Sequence, residues 1–255
     1  MYHAVSESAS SRFGEFVVDP RRFEEQMEHL AADGYRSLTV PELVARRAVS
    51  AGDGDRIVAI TFDDAFAELS DHVFPILERL QLTATVYVPT AYIGATSAWL
   101  ESSGEGDRRV LSIDEMTAVP ASTIEFGAHS HTHPTLDTLP AAIAREEITR
   151  SRRILEDALG RSVSTFAYPF GYERRSTREL VRQAGYASAC RVGYRHSTQA
   201  EDVFALSRIP VYAGDDLGRF TKLLQSDAGL RGRRAVAAAW RPVRRAAAGL
   251  RRGAQ

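Results

Sequence analysis

Short apolar, β-branched runs alternate with longer amphipathic stretches along most of the chain. Asp19-Pro20 opens a helix whose Phe23, Met27, Leu30 and Ala31 share one face, and Gly34 ends it. Tyr35 to Val40 reads as a strand, Pro41 starts a short helix, and Gly52-Asp53-Gly54-Asp55 turns into the run Ile57 to Phe62. Further helices are predicted over 70–80 (Val73, Leu77 and Leu80 inward), 112–119, 140–159 (Ala144, Ile148, Leu155 and Leu159 inward), 175–184 and 215–225. Strands are predicted over 84–89, 123–127, 163–167, 186–190 and 205–211, with a long loop over 90–111. Strand and helix in alternation argue an α/β fold with a parallel sheet, open or closed into a barrel. Residues 1–227 form the expected domain, and 228–255 differ from it in composition.

The run Ile57-Val58-Ala59-Ile60-Thr61-Phe62 ends in two adjacent carboxylates, Asp63 and Asp64. Side chains alternate along a strand, so the two acids cannot both belong to one face. Adjacent buried carboxylates repel and need a cation beside them. The strand ending at Gly127 runs into His129-Ser130-His131-Thr132-His133, where two imidazoles four residues apart face the same way on a helical turn. Two histidines and one carboxylate are a common catalytic metal set that leaves a position open for water. One aspartate then binds the metal, and the other takes a proton from water activated there. His131 is expected in a supporting or solvent-facing role rather than as a third histidine ligand. Trp99, in the long loop, either offers its ring face to a ligand or anchors the loop.

Composition limits the partners. With 44% hydrophobic and 25% charged residues the chain reads as globular. No apolar run approaches the roughly 20 residues of a membrane span, and no secretory signal follows Met1. A lone Cys190, expected in the core, excludes an intrachain disulfide. The net charge of −1 hides an uneven split, since eight arginines and no acid from Ala228 onward (+8) leave −9 for the rest. Val236, Trp240, Val243, Ala247 and Leu250 make that tail a basic amphipathic pattern, interrupted by Pro242, suited to an anionic or membrane surface. The acidic body shows no nucleic-acid motif, so no nucleic-acid role is expected.

Thr61-Phe62-Asp63-Asp64, His129-Ser130-x-x-His133-Pro134 and Phe166-Ala167-Tyr168-Pro169-Phe170-Gly171 resemble, in order and spacing, three motifs of the polysaccharide deacetylases, carbohydrate esterase family 4 with its NodB-type domain. The resemblance extends over about residues 2–225. It implies a distorted, incomplete (β/α) barrel that removes acetyl groups from N-acetylhexosamine units of a polysaccharide or lipid-linked glycan. By position it makes Asp63 the base, and Asp64, His129 and His133 the ligands of a divalent metal. That metal is most often zinc, with cobalt, nickel or iron as alternatives. Tyr168, Pro169 and Phe170 would line the substrate groove with Trp99, and the Phe170 backbone N–H would hold the oxyanion.

Three departures from the family pattern stand out. Ala65 replaces the glycine after the aspartates, and Ala167 replaces the arginine that orients the base. The late Leu-x-His motif that supplies the acid is replaced by Leu206-Ser207-Arg208, leaving His196 as the late candidate for the acid. His3 resembles the family's first-strand ending and is expected near the site. Met1 would then lie inside that strand, with a longer natural N-terminus expected. The chain as written implies a cytoplasmic or inner-membrane-face location, and export if it starts further upstream. An O-acetyl ester or another linear amide fits the same site. The non-enzymatic alternative is a glycan-binding pseudoenzyme, suggested by Ala167 and the missing acid.

Overall fold

The computed structural model describes residues 1–48, 56–227 and 230. Two short parallel pairs flank the main sheet: β1 (Ala4–Val5) with β2 (Val17–Val18), and β3 (Arg36–Ser37) with β4 (Ile57–Val58). The main sheet holds β5 (Ile60–Phe62), β6 (Ala84–Val88), β7 (Ile124–Ala128), β8 (Thr165–Ala167), β9 (Ser188–Val192) and β10 (Leu206–Arg208). These six are all parallel and lie in chain order from β5 to β10. Parallel neighbours need crossovers, and helices supply them. The helices are α1 (Pro20–Ala32), α2 (Val40–Ala48), α3 (Leu69–His72), α4 (Phe74–Arg79), α5 (Ile113–Ala118), α6 (Ala141–Leu159), α7 (Arg175–Gln183) and α8 (Leu217–Gln225). This is the expected distorted, incomplete (β/α) barrel.

Alternation along the strands separates two apolar regions. Val86, Val88, Phe126 and Phe166 join the large core shared with α1, α4 and α6, through residues such as Phe23, Leu77 and Ile148. Tyr87, Ala167, Cys190 and Leu206 form a smaller cluster with Val40 of α2. The first two residues reach both edges of the sheet. Tyr2 N–H donates to Thr61 O (2.8 Å) and Tyr2 O accepts from Asp63 N–H (3.0 Å). Met1 N donates to Ile209 O (3.0 Å), and Met1 O accepts from Val211 N–H (2.9 Å). The N-terminal segment therefore draws the barrel together at the level of Asp63.

Several elements differ from expectation for identifiable reasons. The helix over 70–80 breaks at Val73, because Pro75 lacks the N–H a continuous helix would use and its ring opposes the carbonyl four residues back. The run over 35–40 pairs only at Arg36–Ser37. Thr39 and Glu42 form a capping pair, the Glu42 carboxylate accepting from Thr39 N–H (2.8 Å) and Thr39 Oγ1 (2.9 Å), so α2 starts at Val40. Ala31 is exposed, and Gln26 takes the buried place on α1. The expected turn at 52–55 and the tail pattern from Val236 to Leu250 lie outside the described residues. Among the described residues no helix is long and apolar enough to cross a membrane.

Candidate metal centre and its surroundings

Asp63 and Asp64 stand at the C-terminal end of β5, and the histidine loop follows the C-terminal end of β7, two strands away. Asp64, His129 and His133 come together there, all buried, with one ligand atom from each within 4.8 Å of the others. Asp64 Oδ1 is 3.2 Å from His133 Nε2 and 3.8 Å from His129 Nε2. That oxygen receives no well-formed hydrogen bond although it is buried. The His129 ring is oriented by Nδ1, 2.8 Å from Ala167 O, which leaves Nε2 for the cluster. A buried, under-satisfied carboxylate oxygen between two imidazole nitrogens fits a divalent cation.

The two histidines converge through a loop rather than a helical turn. Ser130 (φ 64°) and His133 (φ 58°) both adopt the left-handed region, which side chains with a Cβ rarely enter. The loop is held from two sides. Glu147 of α6 accepts from His131 N–H (3.0 Å), Thr132 N–H (2.8 Å) and Thr132 Oγ1 (2.7 Å). Opposite, Thr90 Oγ1 lies 3.0 Å from His131 Nδ1, so His131 points at Thr90 and is absent from the three-ligand cluster. Asp64 (φ 71°) and Ala65 (φ 50°) are left-handed too, so the alanine in place of glycine keeps the tight turn at a conformational cost.

Asp63 has a different partner. Arg208 of β10 grips it with both arms of its guanidinium, Nη1 to Oδ1 at 2.6 Å and Nη2 to Oδ2 at 2.8 Å. Arg208 Nη1 also donates to Thr61 Oγ1 (3.3 Å), and the guanidinium lies 5.2 Å from the centre of the Tyr87 ring. Burial pushes the Asp63 carboxyl up, but Arg208, aided by His129 and His3, outweighs it and holds the acid below the usual carboxylate range. Burial likewise opposes Asp64, whose carboxyl is held down by His133, His129 and His3. Burial lowers His129 to about 4, against the pull of Asp63.

Arg208 escaped the sequence reading, which placed the orienting arginine at 167 and found Ala167. A cation in the middle of Leu-Ser-Arg-Ile-Pro-Val was the available signal, since an arginine buried in a strand requires an anion opposite it.

The remaining candidates divide. Phe170, left-handed at φ 60°, turns its half-exposed ring to 4.8 Å from the His133 ring. Trp99 lies 5.2 Å from His133 and 4.5 Å from Tyr92, between ring centres. Tyr168 is buried, its hydroxyl donating to Phe204 O (2.9 Å), and Pro169 is buried beside it, so neither side chain lines an open groove. His196 is not brought to the aspartates. Its Nε2 is 2.8 Å from Leu223 O and its Nδ1 3.0 Å from Asp227 Oδ1, beside a mostly apolar cavity of about 440 Å³ also lined by Ile60 and Leu206. His3 follows Tyr2, which pairs with Phe62 and accepts from Asp63 N–H, so it lies beside the acid pair. Burial lowers its pKa, and Asp64 and Asp63 work against that shift.

Comparison with known proteins agrees with this geometry. The model of the family described as polysaccharide deacetylase matches residues 50–189, which include both aspartates and both cluster histidines but neither His3 nor Arg208. Over 215 residues the chain is 24% identical to the poly-beta-1,6-N-acetyl-D-glucosamine N-deacetylase of Staphylococcus epidermidis, spanning 80% of this chain and 71% of that one. Among solved structures, Streptococcus pyogenes deacetylase PplD superposes with a TM-score of 0.76 at 21% identity, covering 89% of this chain and 96% of that one. IcaB from Ammonifex degensii gives 0.74 at 22% identity, covering 88% and 95%. A match over more than half of its length, with the motif residues gathered at one barrel rim, makes the chain a member of the polysaccharide deacetylase family of hydrolases.

Proposed function

We propose that this hydrolase removes acetyl from the N-acetylhexosamine units of a glycan, with Asp63 as base and Asp64, His129 and His133 as ligands of a zinc ion. The observation that carries the reading is a buried carboxylate held ionised by Arg208 beside a three-donor cluster. The Staphylococcus epidermidis relative, by its name, acts on a polymer of N-acetylglucosamine, which supports this substrate class. Two imidazoles and a carboxylate suit zinc and also accept cobalt, nickel or iron.

When bound, the cation would supply Lewis acidity toward water and the acetyl carbonyl. Asp63 takes the proton of the attacking water, and the two-point grip of Arg208 keeps its carboxylate ionised and aimed. The Phe170 backbone N–H donates to the carbonyl oxygen as charge develops there. His3, in its imidazolium form, passes a proton to the departing amine, because it is the histidine outside the metal set that lies beside the aspartates. With Arg208 in place, Ala167 no longer argues for a pseudoenzyme.

The test is acetate release from β-linked N-acetylglucosamine oligomers by chelated protein and by protein returned to zinc. Release should disappear and return with the metal. Asp63→Asn should keep zinc and lose turnover, and His3→Gln should keep zinc and slow turnover. A zinc-loaded protein that releases acetate from acetylated xylan alone would replace the amide reading with an ester one.

A further inference from the structure

From His3, beside the catalytic aspartates, runs a row of half-buried rings, and the chemistry above leaves unused the three that follow it. His3 lies 5.1 Å from Phe16 and Phe16 5.8 Å from Tyr212, between ring centres, and the Tyr212 and Tyr194 hydroxyls are 3.4 Å apart. All four residues are half-buried. His3 follows the segment that pairs with β5, Tyr194 follows β9, and Tyr212 follows the chain beyond β10. The row therefore stands on the rim that carries the metal cluster, where binding residues of such barrels gather.

Tyr194 is held in its place at a cost. Its φ of 50° is left-handed although the residue is not glycine. Gly193 N–H and Tyr194 N–H both donate to Arg208 O, each at 3.1 Å. Arg208 thus fixes the base with its side chain and this wall with its carbonyl. Two cations near Tyr194 are neutralised, since Arg195 is paired with Glu201 and Arg191 with Glu173 and Glu201. An aromatic surface with two phenol hydroxyls and no free charge from these arginines suits an uncharged sugar ring, which offers an apolar face and a polar edge.

We propose that Phe16, Tyr194 and Tyr212 form a subsite for a further sugar unit of the same glycan chain, next to the unit being deacetylated. This deepens the deacetylase reading and depends on it for the choice of ligand. The wall makes the enzyme favour oligomers long enough to reach it over a short substrate.

The experiment measures binding directly, so that it does not depend on turnover. In zinc-loaded Asp63→Asn protein, which holds substrate uncleaved, calorimetry gives Kd for a β-linked N-acetylglucosamine pentamer and for the dimer. Adding Tyr212→Ala should raise the pentamer Kd about tenfold, the scale of one lost stacking contact, and leave the dimer Kd within about twofold. Tyr212→Phe should retain most of the pentamer affinity, which separates loss of the ring from loss of the fold. An unchanged pentamer Kd, or an equal rise for both ligands, would overturn the subsite. Acetate release by the parent protein reports separately on the deacetylase reading.

Discussion

Replacing Arg208 with methionine tests the arrangement at the base directly. Asp63 is 2% exposed and Arg208 7%, and two short hydrogen bonds join them. Removing one partner of such a pair strands a charge in a dry site, which typically costs about 3–5 kcal/mol. That is a large share of the roughly 5–15 kcal/mol that holds a domain folded. Replacing both partners, Arg208→Met with Asp63→Asn, strands no full charge and should recover much of the loss. Urea unfolding of the chelated wild type, both single variants and the double variant measures the coupling. The pH dependence has a definite sign. In the wild type the Asp63 carboxyl lies below the usual range, so its contribution is present above the unfolded value, about 3.9, and is lost as pH falls through the folded one. In Arg208→Met burial dominates and raises that carboxyl, so the variant loses stability as pH rises through the ordinary range. The gap between the two proteins should be widest near neutrality and narrow in acid. A loss below about 1 kcal/mol at neutral pH, or strictly additive single and double variants, would refute the reasoning.

Other outcomes follow from the same geometry. Glu147→Ala removes the acceptor of three donors on the histidine loop and should weaken cobalt binding by about 10- to 100-fold in a chelator competition, with a smaller change in the melting temperature of the chelated protein. Gly171→Ala should destabilise by about 2 kcal/mol or more in urea, because its φ is +69° and a Cβ there would come within 2.6 Å of the Val192 backbone nitrogen. Phe170→Ala should cost less than about 1 kcal/mol of stability, since the ring is half exposed, while raising KM for the oligomer in steady-state assays.

The parts of the site that are close in sequence were legible in it. Asp63 and Asp64 follow an apolar run, and His129 and His133 lie in one short segment, so strand ends and spacing sufficed. The four-residue spacing of the histidines suits a helical turn, yet left-handed Ser130 and His133 make a loop there instead. Such conformations are held by tertiary contacts, here Glu147 and Thr90, which local propensity does not encode. Arg208 was hidden for a related reason, since its partner is 145 residues away and only the barrel brings them together. The early start of α2 was readable after all. Thr39-x-x-Glu42 is a capping box, and the attraction of Pro41 as a first helical residue obscured it. The strand-and-helix alternation survived these local errors because it depends on many segments at once, so the barrel was legible where single boundaries were not.

The join between Met1–Tyr2 and the chain beyond β10 has a bearing on how the molecule comes to exist. Met1 bonds to Ile209 and Val211, which are more than two hundred residues away, and Arg208 meets Asp63 across 145 residues. Contacts of such sequence separation form slowly, because a long loop must close before they can contribute. On the ribosome the first strands emerge long before the last, so β5 can pair with Tyr2 and β6 while the outer edge of the N-terminal segment waits for the chain beyond β10. The carboxylates are therefore translated early and remain without their guanidinium until β10 has been made. Catalytic competence is then a late event in the life of each chain, reached when the two ends of the sheet meet.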